Sequence, residues 1–114
     1  MSADKNDLID NKPDYSLIPK VFMDQVSYAM MAGRDKYGEF NYTKGHSIRQ
    51  LTAAAVRHIK LIESGEDLDK DLCDRTGKNV HHAAAVCANM LMLLHQLELN
   101  TSEDDRFKGN KAND

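Results

Sequence analysis

The chain has no tryptophan, and aromatic residues occupy only 6% of its 114 positions. Few side chains can therefore bury a large apolar area alone. Alanine and methionine take their place, which lets helices approach closely while each buries little area. Part of the apolar surface is thus expected to be covered by another copy of the chain. Only two cysteines occur, Cys73 and Cys87, and they form no Cys-x-x-Cys pair. That argues against a disulfide framework or a zinc site and fits a reducing cytosol. Positive charge is not in excess: 15 Lys and Arg stand against 18 Asp and Glu, a net charge of −3. Unspecific binding of duplex DNA needs a cationic surface and is not expected. No apolar run can cross a bilayer; that from Ala83 to Leu94 is too short and is interrupted by Asn89. The opening stretch, with Asp4, Asp7 and Asp10, does not read as a secretory leader. There is no strand-like alternation, no internal repeat, and no Walker loop, Gly-x-Ser-x-Gly elbow or Cys–His nucleophile pair.

What is present reads as one small all-α domain, a bundle of three main helices completed by oligomerisation. Residues 1–11 are expected to be a loose arm, 12–106 the helical domain and 107–114 a frayed tail. The first helix should begin near Ser16 to Pro19 and stop at Gly38. Phe22, Val26, Ala29, Met30, Gly33 and Tyr37 share one face. A loop rich in polar and aromatic groups, Glu39 to His46, follows. Ser47 is a natural N-cap for the second helix, whose apolar stripe is Ile48, Leu51, Ala54, Ala55, His58, Ile59 and Ile62, and Gly65 ends it. Glu66 to Asn79 reads as a polar connection. The third helix, about Val80 to Leu99, is apolar nearly all round, as expected for the middle of a bundle or the seam of a dimer.

The densest acidity lies at the end of the second helix and just after it, at Glu63, Glu66, Asp67, Asp69, Asp71 and Asp74. Hard oxygen ligands at such spacing suit magnesium or manganese, and a metal there can neutralise a polyphosphate; the plain alternative is a solvated acidic loop. His58 sits on an apolar stripe, where an imidazole serves either packing or a site. His81 and His82 open the third helix about 100° apart, so only one of them can face a given site. His95 reads as structural or exposed. Asn89, seven residues after His82 and on the same face, either fixes an interhelical register or contacts a substrate base or metal ligand. Arg34, Lys36, Lys44, Arg49 and Arg57, interleaved with Tyr37, Phe40, Asn41 and Tyr42, offer cations for phosphates and rings for a base, although generic surface charge explains each singly.

Taken in order, Lys12-Pro13-Asp14, Leu17-Ile18-Pro19, Lys36-Tyr37-Gly38, Asn41 with Lys44-Gly45, Arg57-His58, Gly65-Glu66-Asp67 with Asp69, Gly77, His81-His82-Ala83 and Asn89 form a pattern. Over roughly residues 12 to 106 the chain resembles the small phage proteins of the dATP/dGTP diphosphohydrolase N-terminal family, which are similar to the MazG-type all-α nucleotide pyrophosphohydrolases. The resemblance implies an oligomeric enzyme, dependent on Mg2+ or Mn2+, in the cytoplasm of an infected bacterium. It would split a deoxynucleoside triphosphate, dATP or dGTP, into monophosphate and pyrophosphate. Carried onto this chain, Glu66, Asp67 and Asp69 would be metal ligands or hold the attacking water. His58, His82 and Glu66 would be the catalytic set. Lys36, Lys44 and Arg57 would meet phosphates, and Tyr37, Asn41 and Asn89 the base or sugar. The MazG-type signature pairs E-E-x-x-E on one helix with E-x-x-D on the next. Here Glu66 to Asp69 match the second half, while the first helix carries only Asp24 and Asp35. That departure defines the alternative reading, a sponge that sequesters a nucleotide at oligomer interfaces without cutting it. A third reading is a scaffold without a ligand.

Overall fold

The computed structural model describes residues 11–99 and 103–109. Most of the expected arm and tail, residues 1–10 and 110–114, lies outside them. Four helices follow one another: α1 (Lys20–Tyr37), α2 (Ile48–Glu63), α3 (Lys70–Thr76) and α4 (His82–Leu99). Short 3-10 turns at Tyr15–Leu17 and Asn41–Lys44 precede α1 and α2. Among the described residues β pairing is confined to a single antiparallel bridge between Leu68 and His81.

The ends of these helices follow from local chemistry. Pro19 is the N-cap of α1, one position ahead of the first helical residue. Gly38 closes α1 at φ +102°, a conformation costly for any residue with a Cβ, and its N–H reaches the Arg34 carbonyl at 2.8 Å. The Ser47 hydroxyl oxygen accepts from the Gln50 N–H at 3.2 Å and starts α2. Asp105, from the segment 103–109 that returns to this point, accepts a hydrogen bond from the Ser47 hydroxyl on one carboxylate oxygen and from the Arg49 N–H on the other. The Ser47 hydrogen bond is the main reason its carboxyl is held below the usual aspartate range.

The sequence predicts a polar connection over residues 66–79, yet α3 forms inside it. Its apolar content is low, so periodicity could not reveal it. It is held by its ends: the Asp69 side chain caps Leu72 N at 3.1 Å, and Gly77 terminates it in the left-handed conformation. Lys70–Asp74 and Asp71–Arg75 pair one turn apart on its exposed side. Leu72 and Cys73 turn inward and pack against the core cluster.

The core is built around α4. Ala84, Ala85 and Ala88 are buried on it, and Ala29 of α1 joins Val80, Ala84 and Ala88 in one cluster. Alanine facing alanine lets α1 and α4 approach closely. On the other flank Ile48, Leu51 and Ala55 are the buried residues of α2, spaced as one helix face. α2 runs antiparallel to α4: His46 N donates to Gln96 Oε1 at 2.6 Å at one end, and His58 meets His82 at the other. Large apolar side chains remain exposed on three helices, among them Met23, Val56 and Leu94.

The loop before α4 is pinned to α1 by one side chain. Gln25 Nε2 donates to the Asn79 carbonyl at 2.7 Å, and Gln25 Oε1 accepts from His81 N at 2.9 Å. Replacing Gln25 by Ala removes both bonds. The expected loss is about 1 kcal/mol of unfolding free energy, read as a lower urea midpoint at unchanged m-value.

Candidate metal centre

Two backbone segments bring the site together. α2 ends at Glu63, and Gly65, at φ +100°, reverses the chain so that Glu66 N bonds back to the Leu61 carbonyl at 3.0 Å. The chain then pairs with the strand-like entry to α4: Asp69 N donates to the Val80 carbonyl at 2.9 Å and His82 N to the Asp67 carbonyl at 2.8 Å. This places Glu66 and Asp69 beside His82 and against His58, which projects from the last turns of α2.

The cluster is tight and largely enclosed. His82 is 3% exposed and Asp69 8%. The two Nδ1 atoms lie 2.9 Å apart. Asp69 Oδ2 is 3.6 Å from each of them, while its Oδ1 caps α3. On the far side of His82, Nε2 meets Glu66 Oε2 at 2.6 Å. An ionised carboxylate only accepts, so His82 donates from Nε2, and in the neutral ring its Nδ1 carries a lone pair turned into the cluster. His58 Nδ1–H can donate to that lone pair. Burial is the main reason the His58 imidazole is held below its ordinary value of 6.5, with His82 and Arg57 pushing the same way and Asp69 opposing them. His58 is therefore neutral at physiological pH, the state a ligand needs.

The donor set fits a divalent cation. His58, Asp69 and His82 offer ligand atoms all within 4.8 Å of one another. A first-row divalent ion sits about 2.0 to 2.3 Å from nitrogen and oxygen donors, so one ion can touch all three atoms at the observed separations. The Glu66–His82 bond reproduces the carboxylate–imidazole–metal relay that fixes tautomer and ring orientation in metalloproteins. Two imidazoles with one carboxylate suit manganese, iron or zinc better than magnesium, which prefers an all-oxygen shell.

The residues singled out from the sequence divide into three groups. His58, Glu66, Asp69 and His82 converge. Glu66 reaches the cluster through His82, and Asp67 contributes its carbonyl to the loop pairing while the residue itself is exposed. Arg57, exposed, borders His58, and Asn89 is half-buried two turns along α4 from His82. Lys36, Tyr37, Asn41 and Lys44 belong to the end of α1 and the turn after it. That turn packs near the opposite end of α4, where Tyr42 meets the His95 ring edge-on at 5.3 Å between centroids. Lys36 lies over the Tyr37 ring, 5.1 Å from its centroid. Tyr37 and Asn41 line an apolar cleft with Phe22, Met30, Ala88 and Met92. The sequence offered Met30 only as core, and nothing in its spacing marked the cleft.

An all-α chain with a His/Asp/His cluster beside an acidic turn is the class that this geometry defines. The sequence matches the family described as dATP/dGTP diphosphohydrolase, N-terminal, over residues 2–106, and the chain belongs to that family. A protein of Salmonella phage PMBT28 named dATP/dGTP diphosphohydrolase is 33% identical over 95 residues, which cover 83% of this chain and 30% of that protein. The chain thus spans about a third of the length of this relative. No solved structure matches it.

The lowered His58 value sets a pH dependence. A group whose value is depressed on folding takes up a proton more readily when unfolded, so its contribution is present above 6.5 and is lost as the pH falls from there through the lower folded-state value. In chelator, the urea midpoint of the wild type should fall on acidification between about pH 7 and about pH 5, and that of His58→Asn should fall less. Equal slopes would contradict the assignment.

Proposed function

We propose that this chain carries the metal-binding part of a nucleoside triphosphate pyrophosphohydrolase that converts dATP or dGTP to the monophosphate and pyrophosphate. The single observation behind the reading is the convergence of His58, Asp69 and His82, with Glu66 orienting His82, in a chain of this family. The name of the phage relative supports the substrate class.

In this reading His58, His82 and Asp69 would hold a divalent ion, Mn2+ in preference to Mg2+. When bound, the ion supplies charge neutralisation on the phosphates and activation of water. Water attacks the α-phosphorus and gives up a proton to solvent, the bond from that phosphorus to the oxygen bridging to the β-phosphate breaks, and pyrophosphate leaves with the electron pair. Glu66 holds His82 in one tautomer, so it is a positioning residue and not itself a ligand. Asp69 is fixed twice, by capping α3 and by facing the imidazoles, which limits reorganisation at the site. Arg57, exposed and next to His58 in the chain, is the cation assigned to the departing phosphates in this reading. The exposed apolar side chains of α1, α2 and α4 support self-association.

The test is incubation with each deoxynucleoside triphosphate and Mn2+ or Mg2+, with chromatography for monophosphate and direct titration of Mn2+. Turnover should require the ion and disappear in chelator. Asp69→Asn and His82→Ala should each lose Mn2+ binding and at least a hundredfold in turnover, whereas Glu66→Gln should weaken Mn2+ binding about 10- to 100-fold. Tight nucleotide binding in chelator with the triphosphate recovered intact would instead identify a sequestering protein.

A further inference from the structure

α4 has the wrong side outward for a helix packed against two others. The residues it buries are small or polar: Ala84, Ala85, Ala88, His82 and Gln96. Larger apolar side chains stand outside, with Leu91 39%, Leu97 42% and Leu94 62% exposed. A surface helix normally shows the reverse pattern, with charge on its open side. From His82 to Leu99 there is no Asp, Lys or Arg, and a single Glu, Glu98.

The open side is ordered. At ~100° per residue, Ala83, Cys87, Met90, Leu94 and Leu97 gather within roughly 80° of arc. Ala83, Leu94 and Leu97 are exposed, and Cys87 and Met90 are half-buried. Their spacing alternates four and three, as in the seam of a two-stranded coiled coil. Thr52, Val56 and Ile59 of α2, all exposed, repeat a four-then-three step on the neighbouring helix. Ala83 follows His82 in the chain and Ile59 follows His58, so one end of this face borders the metal centre.

The order of side-chain sizes says what covers the stripe. It runs from small, Ala83 and Cys87, through Met90, to large, Leu94 and Leu97. Laid against the same helix in reverse, Ala83 meets Leu97, Cys87 meets Leu94, and Met90 meets its own equivalent. Each layer then holds a similar volume. Laid in parallel, Ala83 faces Ala83 and Leu94 faces Leu94, which leaves a void at one end and crowding at the other. A foreign partner would need the inverse gradient, and this chain already carries it. Reversal about Met90 is also a two-fold axis, which closes the assembly at two copies.

We infer that α4 pairs with α4 of a second copy, antiparallel and in register about Met90, with α2 flanking the seam on each side. The pairing stands independently of the metal and of the proposed reaction. It sets the partner's Leu97 over Ala83, next to His82.

Sedimentation velocity of the full chain at micromolar concentration should show a dimer. Leu94→Asp, at a position open to water in the isolated chain, should weaken the dimer about a hundredfold or more while the far-ultraviolet helical signal persists. Leu94→Cys gives a second reading that does not depend on lost stability. Oxidised with copper phenanthroline, it should form an interchain disulfide between Cys87 and the cysteine introduced at position 94, identified by peptide mapping. The wild type, with Leu94 opposite Cys87, should not crosslink through Cys87. A wild type that stays monomeric would overturn the inference and leave this face to a different partner. A dimer indifferent to Leu94→Asp would overturn it as well. Disulfides joining 94 to 94 or 87 to 87 would show a parallel seam and overturn the register.

Discussion

The arrangement depends on one short stretch of pairing, in which residues 67–69 lie against residues 80–82. Two main-chain hydrogen bonds hold it, from Asp69 N to the Val80 carbonyl and from His82 N to the Asp67 carbonyl. They are local in effect and long in reach, since they close a loop that contains the whole of α3. Through them the first residue of α4 and the N-cap of α3 become neighbours, and two side chains from distant positions face each other at fixed distance. Asp69 carries both duties on one carboxylate: one oxygen satisfies an orphan N–H of α3 and the other faces the imidazoles. A residue that ends one element and serves a site cannot drift without unravelling the element.

Around this pairing the packing is thin. The buried cluster is mostly alanine and valine, and α4 is shared between α1 on one flank and α2 on the other. Small side chains bring the backbones close but leave much of the larger apolar surface outside, as the exposed Met23, Val56 and Leu94 show. Hydrogen-bonded junctions supplement this packing, namely Gln25 to the loop before α4, Gln96 to His46 N, and Asp105 to the start of α2. Each joins parts of the chain far apart in sequence. Polar ties of this sort set the register of helices that smooth alanine faces alone would leave free to slide.

Much of this was legible in the residues. Ser47, Gly38 and Gly65 announced their helix ends because capping is a local matter of one side chain or one backbone angle. The periodic faces of α1 and α2 gave the helices themselves. α3 was hidden because its signals are polar: an aspartate that caps, a glycine that stops, and ion pairs on a face with little apolar content. The site was half visible. His58, Glu66, Asp69 and His82 were named through the family resemblance, since residue type alone left packing and solvated-loop readings open, and spacing could not say that Glu66 would reach the cluster through His82, nor that the Asp67 carbonyl would be used for pairing. Those are properties of a loop fold, decided by the bridge between Leu68 and His81. The cleft left no trace in the periodicity, since Gly33 and Met30 read like any other core-facing positions.

The imidazole pair has one more implication. His82 is anchored at its outer nitrogen by Glu66, and its inner nitrogen is matched by the His58 N–H, so both rings have hydrogen-bonding partners supplied by the chain itself. A cation taking the three inner atoms would first have to displace the proton that lies between the two Nδ1 atoms, so loading would be coupled to a tautomer change in His58.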